Sequence, residues 1–197
     1  MFIPKLYKSE DYDLMKEIIS ENSFALLISC KDKIRATHSM MMLNEDKAEN
    51  IFLETHLSRA NPQAKSLKNG DTVLCDFLGA HTYVSSSWYD HVNVSTWNYE
   101  AVQIYGNVQL MNHDELYVHL EKLTSKYEKT QKCPMLVKDM GNEFVEKEMK
   151  ELLVLKSSRQ KYSLSKNFHK TEKIVIFRIL YLILKNQMIM PERLLRK

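Results

Sequence analysis

Residues 79–106 read GAHTYVSSSWYDHVNVSTWNYEAVQIYG and hold both tryptophans of the chain, four of its ten tyrosines and two hydroxyl clusters, Ser85 to Ser87 and Ser95 with Thr96. Aromatics alternating with hydroxyls, amides and histidine line pockets that stack a planar ring and hydrogen-bond its edge. The same composition equally suits a core-packing β-hairpin whose Trp and Tyr tips find polar partners. A second stretch, Thr55-His56-Leu57-Ser58-Arg59-Ala60-Asn61-Pro62-Gln63, sets Arg59 and Lys65 at the start of a short helix. Two cations and free helix N–H groups make an anion site there without glycine, the plain alternative being a solvated charged loop.

Other chemistries fit poorly. The four glycines, Gly70, Gly79, Gly106 and Gly141, stand far apart, so no glycine-rich loop can close its N–H groups on phosphate and any phosphate is held by side chains. No two of the seven histidines have the H-x-x-x-H spacing that puts zinc ligands on one helical face, so no metal site is expected. There is no G-x-S-x-G elbow, and the three consecutive serines read as a polar loop.

The elements that must position these residues are legible from periodicity. The 197 residues, 44% apolar and 27% charged, suit one soluble domain with a real core. Tyr12, Met15, Ile18 and Ile19 fall at helical spacing within residues 9–22, with Ser9 as the expected N-cap. Residues 23–30 and 34–43 read as a hairpin. Residues 50–57 form a strand feeding a short helix over 60–69, opened by Asn61-Pro62 and closed by Gly70. Residues 72–77, 82–85 and 101–110 are β-rich. Residues 112–127 and 142–152 are helical, Val154 and Leu155 begin a closing strand, and 161–167 read as a polar segment. Strands first and helices after point to an α+β fold around a barrel of about six antiparallel strands.

Net charge is +3, from 28 Lys and Arg against 25 Asp and Glu, but residues 174–197 carry +4 and leave −1 for the rest. A near-neutral body argues against the broad basic face of a DNA binder. Cys30, Cys75 and Cys133 are odd in number and without C-x-x-C spacing, which predicts reduced thiols. The N-terminus has no signal-peptide core and no apolar stretch reaches the length of a membrane span, so a cytoplasmic protein with no membrane contact is expected.

Taken together, the two stretches resemble the PaiB family of FMN-binding transcriptional regulators. The resemblance rests on Met1-Phe2-Ile3-Pro4, Ala36-Thr37-His38, His56 to Gln63 as quoted, Gly79-Ala80-His81-Thr82-Tyr83-Val84-Ser85-Ser86-Ser87-Trp88-Tyr89, Val94-Ser95-Thr96-Trp97-Asn98-Tyr99 and Lys161-Tyr162-Ser163-Leu164-Ser165-Lys166-Asn167, and runs from Met1 to about Lys173. It implies a bacterial FMN-binding split β-barrel with flanking helices. It also implies a homodimer with the flavin at the subunit interface, and negative regulation of sporulation and degradative-enzyme (protease) genes. By the same analogy Arg59, Asn61, Gln63 and Lys65 hold the FMN phosphate, and His38, His81, Ser87, Trp88, Thr96 and Trp97 complete the cofactor-binding set. No helix-turn-helix is recognisable, so regulation by an indirect route is expected rather than operator contact.

The chain departs from the family pattern at Ser39-Met40, Thr55, Ser95 and Gln103; Ser95 in place of proline removes a fixed φ just before Thr96. The same barrel serves flavin-dependent oxidoreductases of the pyridoxamine-phosphate oxidase and flavin reductase types, and related barrels bind haem, so both stand as alternatives.

The resemblance covers a domain of residues 1–173 and stops there. Residues 174–197 contain 15 apolar residues with no amphipathic pattern, and the neighbouring reading frame can encode a polar, acidic tail of the family's kind. The expectation is a frameshifted C-terminus.

Overall fold

The computed structural model describes residues 8–47 and 50–167, together with residues 3 and 5; the tail expected to be frameshifted lies outside the described residues. Eight strands and four helices follow in the order β1 (Lys8–Ser9), α1 (Tyr12–Glu21), β2 (Phe24–Cys30), β3 (Ile34–Met40), β4 (Met42–Glu45), β5 (Ile51–Ser58), α2 (Pro62–Ser66), β6 (Thr72–Val84), β7 (Thr96–Leu110), α3 (His113–Glu128), α4 (Asn142–Lys150) and β8 (Leu152–Asn167). All pairings are antiparallel, in the order β3-β2-β6-β7-β8-β5-β4, with β1 added to β8.

The chain closes this sheet on itself. After Met40 it leaves the edge of β2 and two residues later pairs with β5, so β3 and β4 join the two ends of the strand order. Ser39 bridges the seam by bonding the Thr55 hydroxyl and the His56 carbonyl, both at 2.8 Å. Alternate residues fill the interior: Leu27 on β2, Leu53 and Leu57 on β5, Cys75 and Phe77 on β6, Val102 and Ile104 on β7, Leu155 and Leu164 on β8. Met15, Ile18 and Ile19 of α1 complete this core. Burying side chains of this size is the main favourable term in the fold. A second, smaller cluster of Leu116, Val137, Val145, Met149 and Val154 seats α3 and α4 on the outer side of β8.

The α+β barrel with flanking helices is the expected fold, with differences of detail. Among the described residues there are eight strands rather than about six. The runs at 72–77 and 82–85 are one strand, kept continuous by a register shift between Leu78 and His81. Residues 161–167 belong to β8 rather than to a polar segment. Their Lys and Ser residues mask a buried Leu164, and the strand is held by its β7 register. α1 starts later than expected because Asp11, not Ser9, caps it, its carboxylate accepting the Leu14 N–H at 3.0 Å. α2 is only five residues long; Gly70, at φ 86°, serves the turn into β6 instead of capping that helix.

Candidate functional site

The cation-bearing turn is built where β5 runs out at Ser58. The Arg59 N–H donates to the Glu151 carbonyl at 2.7 Å and the Asn61 N–H to the Ser58 carbonyl at 3.0 Å, which fixes the reversal. Asn61 then caps α2: its side-chain oxygen accepts the Gln63 N–H at 2.8 Å while its amide donates to the Thr37 hydroxyl at 3.0 Å. Gln63 is fully buried, and its amide donates to the Leu27 carbonyl at 3.1 Å and the Ser29 hydroxyl at 3.0 Å. Asn61 and Gln63 therefore pin the turn to the β2–β3 hairpin. Arg59 and Lys65 are exposed and make no ion pair among the described residues.

The expectation of free helix N–H groups here needs correcting. Pro62 has none, and the Gln63 N–H is taken by the cap. The Lys65 N–H is taken by the Asn61 carbonyl, so what an anion meets here is chiefly side-chain charge. Arg35, missed in the sequence, joins the same corner: it lies two residues before Thr37 on β3, and its carbonyl accepts from Gln63 at 3.4 Å. Its guanidinium grips Asp32, with Nη2 to Oδ2 at 2.9 Å, and holds that carboxyl well below the usual carboxylate range. No local pattern in the sequence points to it, because the contact with Gln63 spans 28 residues.

The aromatic residues sit elsewhere. Beyond the barrel β6 and β7 continue as an arm with the pairs His81–Tyr99, Thr82–Asn98, Tyr83–Trp97 and Val84–Thr96; β8 still reaches Tyr99 through Asn167, and past that level the arm is two-stranded among the described residues. Trp97 stacks on His81, centroids 6.0 Å apart at 28°, and tilts against Tyr83 at 6.2 Å. Ser85 caps a 3₁₀ turn over Ser86–Trp88 and meets the Ser87 hydroxyl at 2.8 Å. Tyr83, Trp88 and Trp97 are each about half exposed, at 47%, 47% and 53%, so the hairpin does not pack them into the core of this chain. His38 lies on β3 with an exposed ring stacked over Phe24, centroids 5.6 Å apart.

One chain does not bring the two groups together. Thr37 is level with Leu27 and Cys75 in the register, whereas Trp97 is level with Tyr83, eight residues further along β6. At about 3.3 Å per residue that is about 25 Å. The arm between His81 and Trp97 contains no Lys or Arg, and the turn between Thr55 and Gln63 contains no Trp or Tyr. Among the described residues no group of three or more His, Cys, Asp and Glu is arranged to hold a metal ion, and no helix is long and apolar enough to cross a membrane.

A family model described as "Putative FMN-binding domain" matches residues 1–157. "Protease synthase and sporulation protein PAI 2" of Bacillus subtilis (strain 168) is 33% identical over 177 residues, covering 87% of this chain and 85% of that protein. The chain belongs to the PaiB family. Solved structures similar to this PaiB-family chain include the FAD and haem binding protein from Mycobacterium smegmatis, with TM-score 0.61 and 14% identity over 87% of this chain and 80% of that one. A flavocytochrome from Azotobacter vinelandii matches with TM-score 0.58 and 15% identity over 87% and 76%. At such identities these two establish the shared fold, a split barrel, for the PaiB-family chain.

Proposed function

We propose that this PaiB-family chain binds FMN as a homodimer, each site assembled from the cation corner of one copy and the aromatic arm of the other, and that it works as a regulatory flavoprotein. The observation that supports the reading is the register, which sets the level of Thr37, the residue the turn is tied to, about 25 Å along the sheet from the level of Trp97, a span longer than one FMN molecule. The donor set suits the ligand. Arg59 and Lys65 would hold the phosphate through charge-assisted hydrogen bonds, on a turn oriented by Asn61 and Gln63. Trp97 with His81, and Trp88, would face the isoalloxazine ring, with Ser87 and Thr96 hydrogen-bonding its edge and His38 on the strand between the two groups. When bound, flavin supplies hydride and single-electron transfer; the protein binds and orients it.

Exposed apolar surface supports the second copy. Phe24 and Ile34 on the outer face of the β2–β3 hairpin, Leu78 on β6, and Val92 and Val94 at the tip of the arm are all exposed. A second copy docked across the hairpin and the arm would cover these positions. The regulatory reading rests on the named role of the Bacillus subtilis relative in protease synthesis and sporulation. We take that regulation to be negative and its route indirect, since residues 1–173 carry a net charge of −1.

Calorimetric titration with FMN, alongside quenching of flavin fluorescence, tests the binding. The reading predicts saturation with one FMN per chain on a dimeric species. No heat and no quenching at high micromolar FMN would overturn it.

A further inference from the structure

The outward face of the central strands carries two polar side chains in an apolar setting. Leu27, Cys75, Ile104 and Leu164 point into the barrel, so alternation turns Leu26, Asp76 and Gln103 outward. The register sets His38 on β3, Leu26 on β2, Asp76 on β6 and Gln103 on β7 side by side in one row. Phe24, Ile28, Leu74, Leu78 and Tyr105 occupy the rows on either side. Asp76 and Gln103 are half-buried there, and Asp76 makes no hydrogen bond or ion pair among the described residues. The Gln103 amide oxygen is buried without a partner, and its nitrogen makes no hydrogen bond among the described residues either. A carboxylate and an amide left so on an apolar face are costly once that face is covered, unless the cover supplies matching groups.

The row starts at β3, the strand to which the cation-bearing turn is tied. Three strand spacings of about 4.8 Å put Gln103 about 14 Å from His38, within the length of one FMN molecule. Trp97 lies on the same side of β7 as Gln103 but six residues away, about 20 Å, so an aromatic cover over this row has to come from another copy. Gln103 is also one of the chain's departures from the family pattern.

We propose that Asp76 and Gln103 read the pyrimidine edge of the flavin ring, an inference that rests on the FMN reading. That edge presents one donor, N3–H, between two carbonyl acceptors. A carboxylate accepts and cannot donate, whereas an amide nitrogen only donates. Asp76 takes the N3–H, and Gln103 Nε2 donates to a flanking carbonyl. Leu26, between His38 and Asp76 in the row, supports the apolar body of the ring. The hydroxyls of Ser87 and Thr96 on the arm of the second copy serve the remaining polar positions. A carboxylate beside the pyrimidine makes added electrons on the ring less favourable, so Asp76 also lowers the reduction potential of bound flavin.

Titration of the full-length protein with FMN and with N3-methyl-FMN tests the assignment. The wild type should prefer FMN by about tenfold or more, the worth of a hydrogen bond to a charged group. In Asp76→Leu that preference should vanish, through weaker binding of FMN. Gln103→Leu should weaken both ligands by a similar factor, since each keeps the flanking carbonyls. Equal affinity of the wild type for the two ligands, or a preference that persists in Asp76→Leu, would overturn the proposal. So would a raised dimer dissociation constant in Asp76→Leu with the preference intact, which would set Asp76 against protein of the second copy. If Asp76→Leu fails to fold, Asp76→Asn keeps the shape and removes the charge. The midpoint potential of its bound FMN should rise, and an unchanged or lower value would overturn the assignment. Failure of both ligands to bind the wild type would instead bring down the FMN reading itself, and the assignment with it.

Discussion

The Asn61 side-chain amide donates to the Thr37 hydroxyl at 3.0 Å, and this bond ties the turn carrying Arg59 to β3. The same side chain caps α2 through the Gln63 N–H. One residue thus sets both where the short helix begins and how the turn meets the sheet.

Asn61→Ala should therefore lose the cap and the cross-strand tie together. The expected loss of stability is about 1–2 kcal/mol, read from urea denaturation at constant m-value. FMN binding should weaken as well. An affinity unchanged beside a clear loss of stability would separate the turn's position from the phosphate site.

Arg59→Ala tests the phosphate assignment itself. A charge-assisted hydrogen bond is worth about 1.5–3 kcal/mol, so FMN affinity should fall roughly tenfold to a hundredfold. Riboflavin, which lacks the phosphate, should bind the variant and the wild type alike. Equal losses for both ligands would remove Arg59 from that role.

Much of this arrangement was legible in the sequence, unevenly. The Asn61-Pro62 start of α2 depends on contacts within a few residues and stands in the structure as read, and the helix read over residues 112–127 is α3, which Asn112 caps. The long reach of β8 was not legible, because residues 161–167 look polar and owe their strand conformation to partners on β7 some sixty residues away. Gln63 has the chemistry of a ligand, yet its burial is decided by β2, which no local pattern reveals. Arg35 was passed over because its proximity to the turn arises only when β3 folds against α2. His119 on α3 reads as one polar residue among several, and its burial follows from the β5 side chains beneath it.

Gly106 sits where β8 takes an extra residue: Tyr105 pairs with Lys161 and Gly106 with Arg159. A Cβ added there would run into the Ser157 hydroxyl and the Ser158 carbonyl. Gly106→Ala should cost about 1–3 kcal/mol, measured by denaturation, because the obstacle includes backbone. Trimming only the hydroxyl with Ser157→Ala in the same chain should recover part of that loss and not all of it.

His113 on α3 meets Glu146 on α4 at 2.8 Å, and Glu146 first, then Asp114, pulls its pKa above the ordinary value. The pair's contribution is full below the unfolded-state pKa, about 6.5, and is lost as pH rises through the higher folded-state value. Both groups are exposed, so the effect is small and screened by salt. Glu146→Gln should bring the His113 titration, followed by proton NMR, down toward the ordinary value. A midpoint that does not move would assign the shift to Asp114 alone.

Co-expression of two defective chains tests the shared site most directly. One chain carries Arg59→Ala, which spoils the corner, and the other carries Trp97→Ala, which spoils the arm. Each variant alone should bind FMN weakly. In a mixed dimer one site joins both defects, while the other joins an intact corner to an intact arm. With random pairing about one quarter of all sites should regain wild-type affinity by FMN titration. Recovery at that level is the predicted result. No recovery in a preparation verified to contain mixed dimers would contradict a site built from two copies.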